Sequence, residues 1–158
     1  MKKLVIISGL ITSMLCFLSF ESAYPPVSPN QNYIDSLAAE RERFTNEVLN
    51  AIKGNESAMA GTIFKNLKTF NGKEGLKVTH FLAVMNYWGE ALGVSCTHCH
   101  NTNDWASDEK QTKNTARGMY ALRQIINKQI SFEIEDSKEV KPLVNCGTCH
   151  RGNAIPKE

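Results

Sequence analysis

The chain has 158 residues, 42% of them hydrophobic, with 18 basic and 16 acidic residues and a formal net charge of +2, which is room for one domain with a modest core. Lys2 and Lys3 precede the first apolar run and Glu21 follows it, so the body beyond Ala23 keeps a net charge of only +1. That balance excludes a nucleic-acid partner, which needs a concentrated basic face.

The chain opens Met1-Lys2-Lys3 and continues in an apolar stretch from Leu4 to Phe20, the charged-then-apolar order of an export segment. Residues 1–23 are therefore expected to form a signal peptide or an N-terminal anchor. Ala23 suits the last position before a cut, but Glu21 stands where a small residue is normal. Cleavage is the preferred reading, because the run is at the short limit for spanning a bilayer, and an uncleaved anchor is the alternative. Either way the body is expected in the periplasm or on the outer face of the cytoplasmic membrane, and an anchor would associate it with that membrane. Cys16, behind Met14 and Leu15, has a poor lipidation context and reads as a small apolar residue.

Residues 24–32, with Pro25, Pro26 and Pro29, read as an extended linker, and a single domain is expected over 33–158. Ile34, Leu37, Phe44, Val48, Leu49 and Ile52 recur at helical spacing from Tyr33 to Lys53, and Gly54 is placed to stop that helix. It reads as a packing helix without chemistry. Ser57 to Lys77 mixes Ile63, Phe64, Leu67 and Phe70 with Gly61, Gly72 and Gly75, which suggests a helical turn or two and a loop. Thr79 can cap a helix to Ala91, whose stripe of Phe81, Met85, Trp88 and Leu92 ends at Gly93.

Asn101 to Glu109 is polar loop. Thr112 or Asn114 can cap a further helix to Lys128, with Ala116, Met119, Leu122, Arg123 and Ile126 along one side. A second loop runs through Glu133, Asp136, Lys141 and Pro142. A helix carrying Met followed by a cysteine pair occurs twice, a weak internal repeat. No element reads as a strand, so the expected fold is all-α, built from helix-then-motif repeats with long loops.

Beyond Cys16, the remaining cysteines form two pairs, Cys96-Thr97-His98-Cys99-His100 and Cys146-Gly147-Thr148-Cys149-His150. Each is a complete attachment motif for c-type haem. Sulfurs three residues apart on one turn reach the two vinyl groups on a porphyrin edge as thioethers, and the next residue then lies under the iron, where an imidazole is the proximal ligand. Two disulfides, one Cys₄ zinc site or a dithiol redox motif are the alternatives. A disulfide across two residues is strained, zinc gives no reason for a His after each second Cys, and a thioredoxin-like motif needs a preceding strand.

Two haems have four axial positions. His100 and His150 fill two, and His80, His98, Met59, Met85 and Met119 are the candidates for the others. His98 is tethered on the proximal side and reads as a surface or outer-layer group, and Met59 is expected to pack. Met85 lies on the helix that leads into the first motif and is assigned to the haem at His100. Met119 has a similar place before the second motif and is assigned to the haem at His150, with His80 in reserve. A Met on an apolar stripe is ordinarily core, and the need for two distal ligands is what favours these two. Phe81, Trp88 and Tyr120 suit haem edges or plain core, and Arg117, Arg123 and Arg151 suit propionates or plain surface. Four propionates would bring the net charge to about −3.

From about Phe64 to Pro156 the chain resembles the cytochrome c subunit of photosynthetic reaction centres, and more closely its short two-haem relatives. The resemblance rests on Phe64-Lys65-Asn66-Leu67, Met85, Leu92-Gly93-Val94 ahead of Cys96, Ala106-Ser107-Asp108, Lys113 with Ala116-Arg117 and Met119, Ile126-Asn127, and Cys149-His150-Arg151-Gly152. It implies a small multihaem cytochrome c domain in which a helix with a distal Met clasps each haem, hence Met85 and Met119 here. The photosynthetic subunit carries four haems and this chain has motifs for two, so its photosynthetic role does not carry over. Residues before about Ser57 lie outside the resemblance, which leaves the first helix free to serve a partner specific to this protein.

A haem with both axial places filled has no open site for substrate and suits electron transfer. The expectation is a periplasmic carrier of single electrons rather than an enzyme, working between redox proteins or within a membrane electron-transfer complex, respiratory or photosynthetic. A two-haem peroxidase-type enzyme and a zinc-binding module are the alternatives.

Overall fold

A computed structural model describes residues 29–70, 75–133 and 143–157. The export segment with Cys16, the linker up to residue 28, Gly72 and the loop through Asp136, Lys141 and Pro142 lie outside the described residues. Within them the chain forms α1 (Pro29–Ala51), α2 (Ala60–Ile63), α3 (Val78–Leu92), a 3₁₀ turn (Cys96–His98), α4 (Gln111–Glu133) and α5 (Cys146–His150). The all-α expectation holds: β pairing among the described residues is confined to the isolated bridges Met59–Lys77 and Asn101–Asp104. None of the described helices is long and apolar enough to cross a membrane.

Several boundaries differ from those expected. α1 starts at Pro29 rather than Tyr33, because proline's fixed φ and missing N–H suit the first turn of a helix, so the end of the expected linker is helical. Lys77, not Thr79, is the N-cap of α3, with no side-chain cap bond. Thr112 and Asn114 lie inside α4, which runs on past Lys128 to Glu133. Gly54 and Gly93 do follow their helices in left-handed conformations, φ 90 and 64, which glycine adopts without a Cβ penalty.

α3 is the hub, in contact with α1, α2 and α5. On one side Ala60, Phe70 and Phe81 are buried, and Phe64, Leu67, Leu76, Leu82, Val84, Met85, Trp88 and Tyr120 pack against them. Phe70 is the centre of an aromatic cluster, with ring centroids 5.8 Å from Phe81, 6.0 Å from Trp88 and 4.9 Å from Tyr120. The loop between α2 and α3 is closed at its neck by Ala60 N to Leu76 O at 2.8 Å and Val78 N to Ala58 O at 2.9 Å.

Polar side chains fasten α4. Lys113 is buried and its Nζ donates to the carbonyls of Trp105, Ala106 and Ser107 at 3.0, 3.2 and 2.7 Å. Arg117 donates to Asp108 at 2.8 Å and to the Asn66 carbonyl at 3.1 Å. At the other end Arg123 Nε donates to Val144 O at 3.1 Å, while the Asn127 amide grips Val144 at both N and O, each at 2.8 Å. Met119, Leu122 and Ile125 of this helix are exposed.

Candidate haem-attachment sites

Both cysteine motifs fold as a single helical turn, and the residue before each first cysteine starts it. Ser95 Oγ accepts from Thr97 N at 3.4 Å. Asn145 accepts from Thr148 N at 3.1 Å, and Thr148 Oγ1 in turn accepts from Asn145 N at 3.1 Å, a reciprocal capping box. One helical turn brings residues i and i+3 to the same face, so each motif presents its two sulfurs together. Cys96, Cys99 and Cys146 are half-buried, Cys149 is exposed, and none of the four is in a disulfide. Burial pushes the Cys96, Cys99 and Cys146 thiols up, against smaller opposing pulls from Arg41 on Cys96, Thr112 on Cys99 and Arg123 on Cys146. Among the described residues no three His, Cys, Asp or Glu side chains gather in one cluster.

The two histidines are held differently, and both arrangements suit an iron ligand. His150 Nδ1 lies 3.0 Å from the Asn153 carbonyl. A carbonyl only accepts, so the proton is on Nδ1 and the Nε2 lone pair is left for a metal, the usual orienting device of a ligating histidine. His100 Nδ1 is buried with no hydrogen-bond partner. Burial, aided by the Lys113 cation and more weakly by Arg117 and Lys110, holds its pKa down to about 4, while the Trp105 carbonyl pulls the other way. The imidazole is thus neutral at physiological pH, as ligation demands. Its ring stands 5.4 Å from Trp105, which in turn meets Phe44 of α1 edge-on at 5.7 Å.

Both motifs adjoin the C-terminal end of α3. Gly152 N donates to Ala91 O at 2.9 Å, and a Cβ on Gly93 would lie 2.0 Å from Gly152 O. A Cβ on Gly147 would lie 3.3 Å from the Tyr87 hydroxyl. The loop after the first motif is folded back by Asp108, which takes Lys68 at 2.6 Å, Arg117 at 2.8 Å and the Asn66 amide at 2.9 Å. Thr112 of α4 donates to the His98 carbonyl and Lys110 to that of Thr97.

The distal candidates separate clearly. Met85 is half-buried in the aromatic cluster on α3. Met119 is 47% exposed and shares one face of α4, at four-residue spacing, with Arg123 and Asn127, the two residues that grip the lead into the second motif. His80 and His98 are exposed. Met59, expected to pack, is also exposed, at the bridge with Lys77. Phe81, Trp88 and Tyr120 share the cluster around Phe70. Arg117 and Arg123, expected to meet propionates or to lie on the surface, are half-buried and hydrogen-bonded to protein partners, and Arg151 is exposed, in a left-handed conformation after α5.

Sequence reasoning found α1 but missed its part in the site. Its buried Arg41 donates to Val94 O at 3.0 Å, and its buried Phe44 backs Trp105, so a helix read as chemistry-free forms a wall of the first motif. The only signal was Arg41 amid the apolar positions of the helix.

A family model described as photosynthetic reaction centre cytochrome C subunit matches residues 27–158, α1 included. The chain is 31% identical over 111 residues to the photosynthetic reaction center cytochrome c subunit of Rubrivivax gelatinosus, covering 70% of this chain and 28% of that protein. To the subunit of the same name from Thermochromatium tepidum it is 28% identical over 98 residues, 62% of this chain and 23% of that one. To cytochrome c-554 of Chloroflexus aurantiacus it is 30% identical over 129 residues, 80% and 28%. The chain spans about a quarter of the length of these curated relatives.

Proposed function

The chain belongs to the photosynthetic reaction-centre cytochrome c subunit family, and on that footing we propose that it is a periplasmic dihaem c-type cytochrome, an electron carrier rather than an enzyme. Cys96 and Cys99 form the thioethers of the first site, with His100 as proximal and Met85 as distal ligand. Cys146 and Cys149 form those of the second, with His150 and Met119. Bound haem supplies the one-electron Fe(III)/Fe(II) couple, and the protein's part is to close both axial positions and to hold the two sites together. The observation that carries this reading is the docking of both motifs on the end of α3, through Gly152 N to Ala91 O at 2.9 Å on one side and the short Gly93-Val94-Ser95 lead on the other. Two such sites on one helix form a relay in which an electron taken at one surface is delivered at another. The partners are redox proteins or a membrane electron-transfer complex, reached from an exported body that residues 1–23 either release or anchor.

Mass measurement of the purified protein should show two added haem groups, and acidified organic solvent should extract neither. A redox titration followed by absorption should resolve two one-electron steps. A single added group, or haem passing into the solvent, overturns the proposal.

A further inference from the structure

Arg41 is the one buried arginine among the described residues, 8% exposed in the middle of α1, and it makes no ion pair with any described residue. Its side chain crosses α3 where α3 has no side chain: a Cβ on Gly89 would lie 2.6 Å from Arg41 Cδ. From there NH1 donates to the carbonyl of Val94, two residues ahead of Cys96, at 3.0 Å. α1 also touches the 3₁₀ turn Cys96–His98 itself.

Burying a guanidinium without a carboxylate is costly, and a single carbonyl offsets only part of that cost. The acidic groups nearest in the fold do not neutralise it. Glu42 and Glu90 border the same groove of about 270 Å³ between α1 and α3, but both are exposed to solvent. Glu40 is half-buried, and its pull on Cys96 is weaker than that of Arg41 and opposite to it. Arg43 adds to Arg41, more weakly still. Of the α1 charges, Arg41 acts most strongly on the first attachment turn.

We infer that Arg41 is a positioning residue for the electrostatics of the first site: a fixed, unpaired cation that favours the reduced iron at His100 and so sets that haem's midpoint potential above that of the second. The inference rests on the dihaem reading given above. Going from Fe(III) to Fe(II) adds one electron and removes one positive charge, and a buried cation at fixed distance favours that change with little solvent screening. The second site has no such buried cation: Arg123 is half-buried and shared with Val144 O and the Tyr120 ring, and Arg151, next to His150, is exposed.

Redox titration of the full-length holoprotein tests this in wild type, Arg41→Gln, Arg41→Lys and Gly89→Ala. Arg41→Gln keeps a donor for Val94 O and removes the charge. It should lower one midpoint and leave the other in place, with the low-spin spectrum of both haems unchanged. Arg41→Lys should restore most of the loss. Gly89→Ala keeps the arginine but pushes it off α3, and should lower the same midpoint, which keeps the test available if Arg41→Gln does not mature. Equal movement of both midpoints, no movement, or movement only with loss of the low-spin spectrum overturns the inference. The first haem's step is the one that Met85→Ala displaces. If Met85→Ala displaces neither step, the ligand assignment fails while the Arg41 result is still read from whether one midpoint moves alone. One added haem in the wild-type mass defeats the dihaem reading before any Arg41 variant is made.

Discussion

At the scale of single residues, the second axial ligand is the sharpest question. Met119 is exposed on α4, yet it shares a helical face with Arg123 and Asn127, which fix Val144 two residues ahead of Cys146. His80 is exposed at the start of α3, where the fold gives it no such tie to the second motif. Met119→Ala should therefore abolish one His/Met signature in near-infrared magnetic circular dichroism and lower the potential of one haem, while His80→Ala should leave both signatures intact. A bis-histidine signal removed by His80→Ala but not by Met119→Ala refutes the assignment. The two cysteine pairs with their following histidines stand out in the chain because that pattern lies in local spacing, whereas Met85 and Met119 are assigned from their place on a helix ahead of each motif. Arg41 could not be read in this way, since its meaning depends on Val94, 53 positions away, and its place among the apolar positions of the helix hints at burial but not at a partner.

At the scale of elements, periodicity located α1 and α3, because each buries one face and repeats its apolar positions every three or four residues, and it located α4 although much of that stripe is exposed. Their ends were less legible. Pro29 begins a helix although its neighbours Pro25 and Pro26 suggest a linker, and α4 is set by Lys113, Arg117, Arg123 and Asn127 rather than by the expected apolar stripe, whose Met119 and Leu122 are exposed. Polar fastening of this kind has no periodic signature.

The loop 101–110 depends on it most, and its keystone is Asp108, whose carboxyl Lys68 and Arg117 hold well below the usual carboxylate range. A carboxylate depressed in the folded state contributes stability that is fully present above its unfolded pKa of about 4 and is lost as pH falls towards the folded value. Hydrogen exchange of the backbone amides from Asp104 to Lys113 should accelerate as pH falls below about 4, after correction for the intrinsic rate. Asp108→Asn should already show the faster exchange at pH 7 and lose that acid step. An acid step preserved in Asp108→Asn would assign it to another group.

At the scale of the whole molecule, two glycines decide how the sites meet. Gly93 is required twice, for its φ of 64 and because a Cβ there would lie 2.0 Å from the Gly152 carbonyl oxygen. Gly93→Ala should cost about 2 kcal/mol or more, seen as a lower midpoint in denaturant. It should also perturb both haem steps in a redox titration, because it separates the motifs from each other. A change confined to one haem would mean that the sites are independent.

The bond from Gly152 to Ala91 also has a meaning in time. It joins the second motif to the middle of the chain across the whole of α4 and its flanking loops. Helices form quickly from neighbouring residues, whereas a contact between distant positions must first meet the entropy of closing the loop between them. α1, α2 and α3 precede α5 in the order of synthesis, so the end of α3 stands bare until the second motif arrives. Closure of that junction is the late step, and until it happens the first motif already has its wall from α1 while the second has no seat.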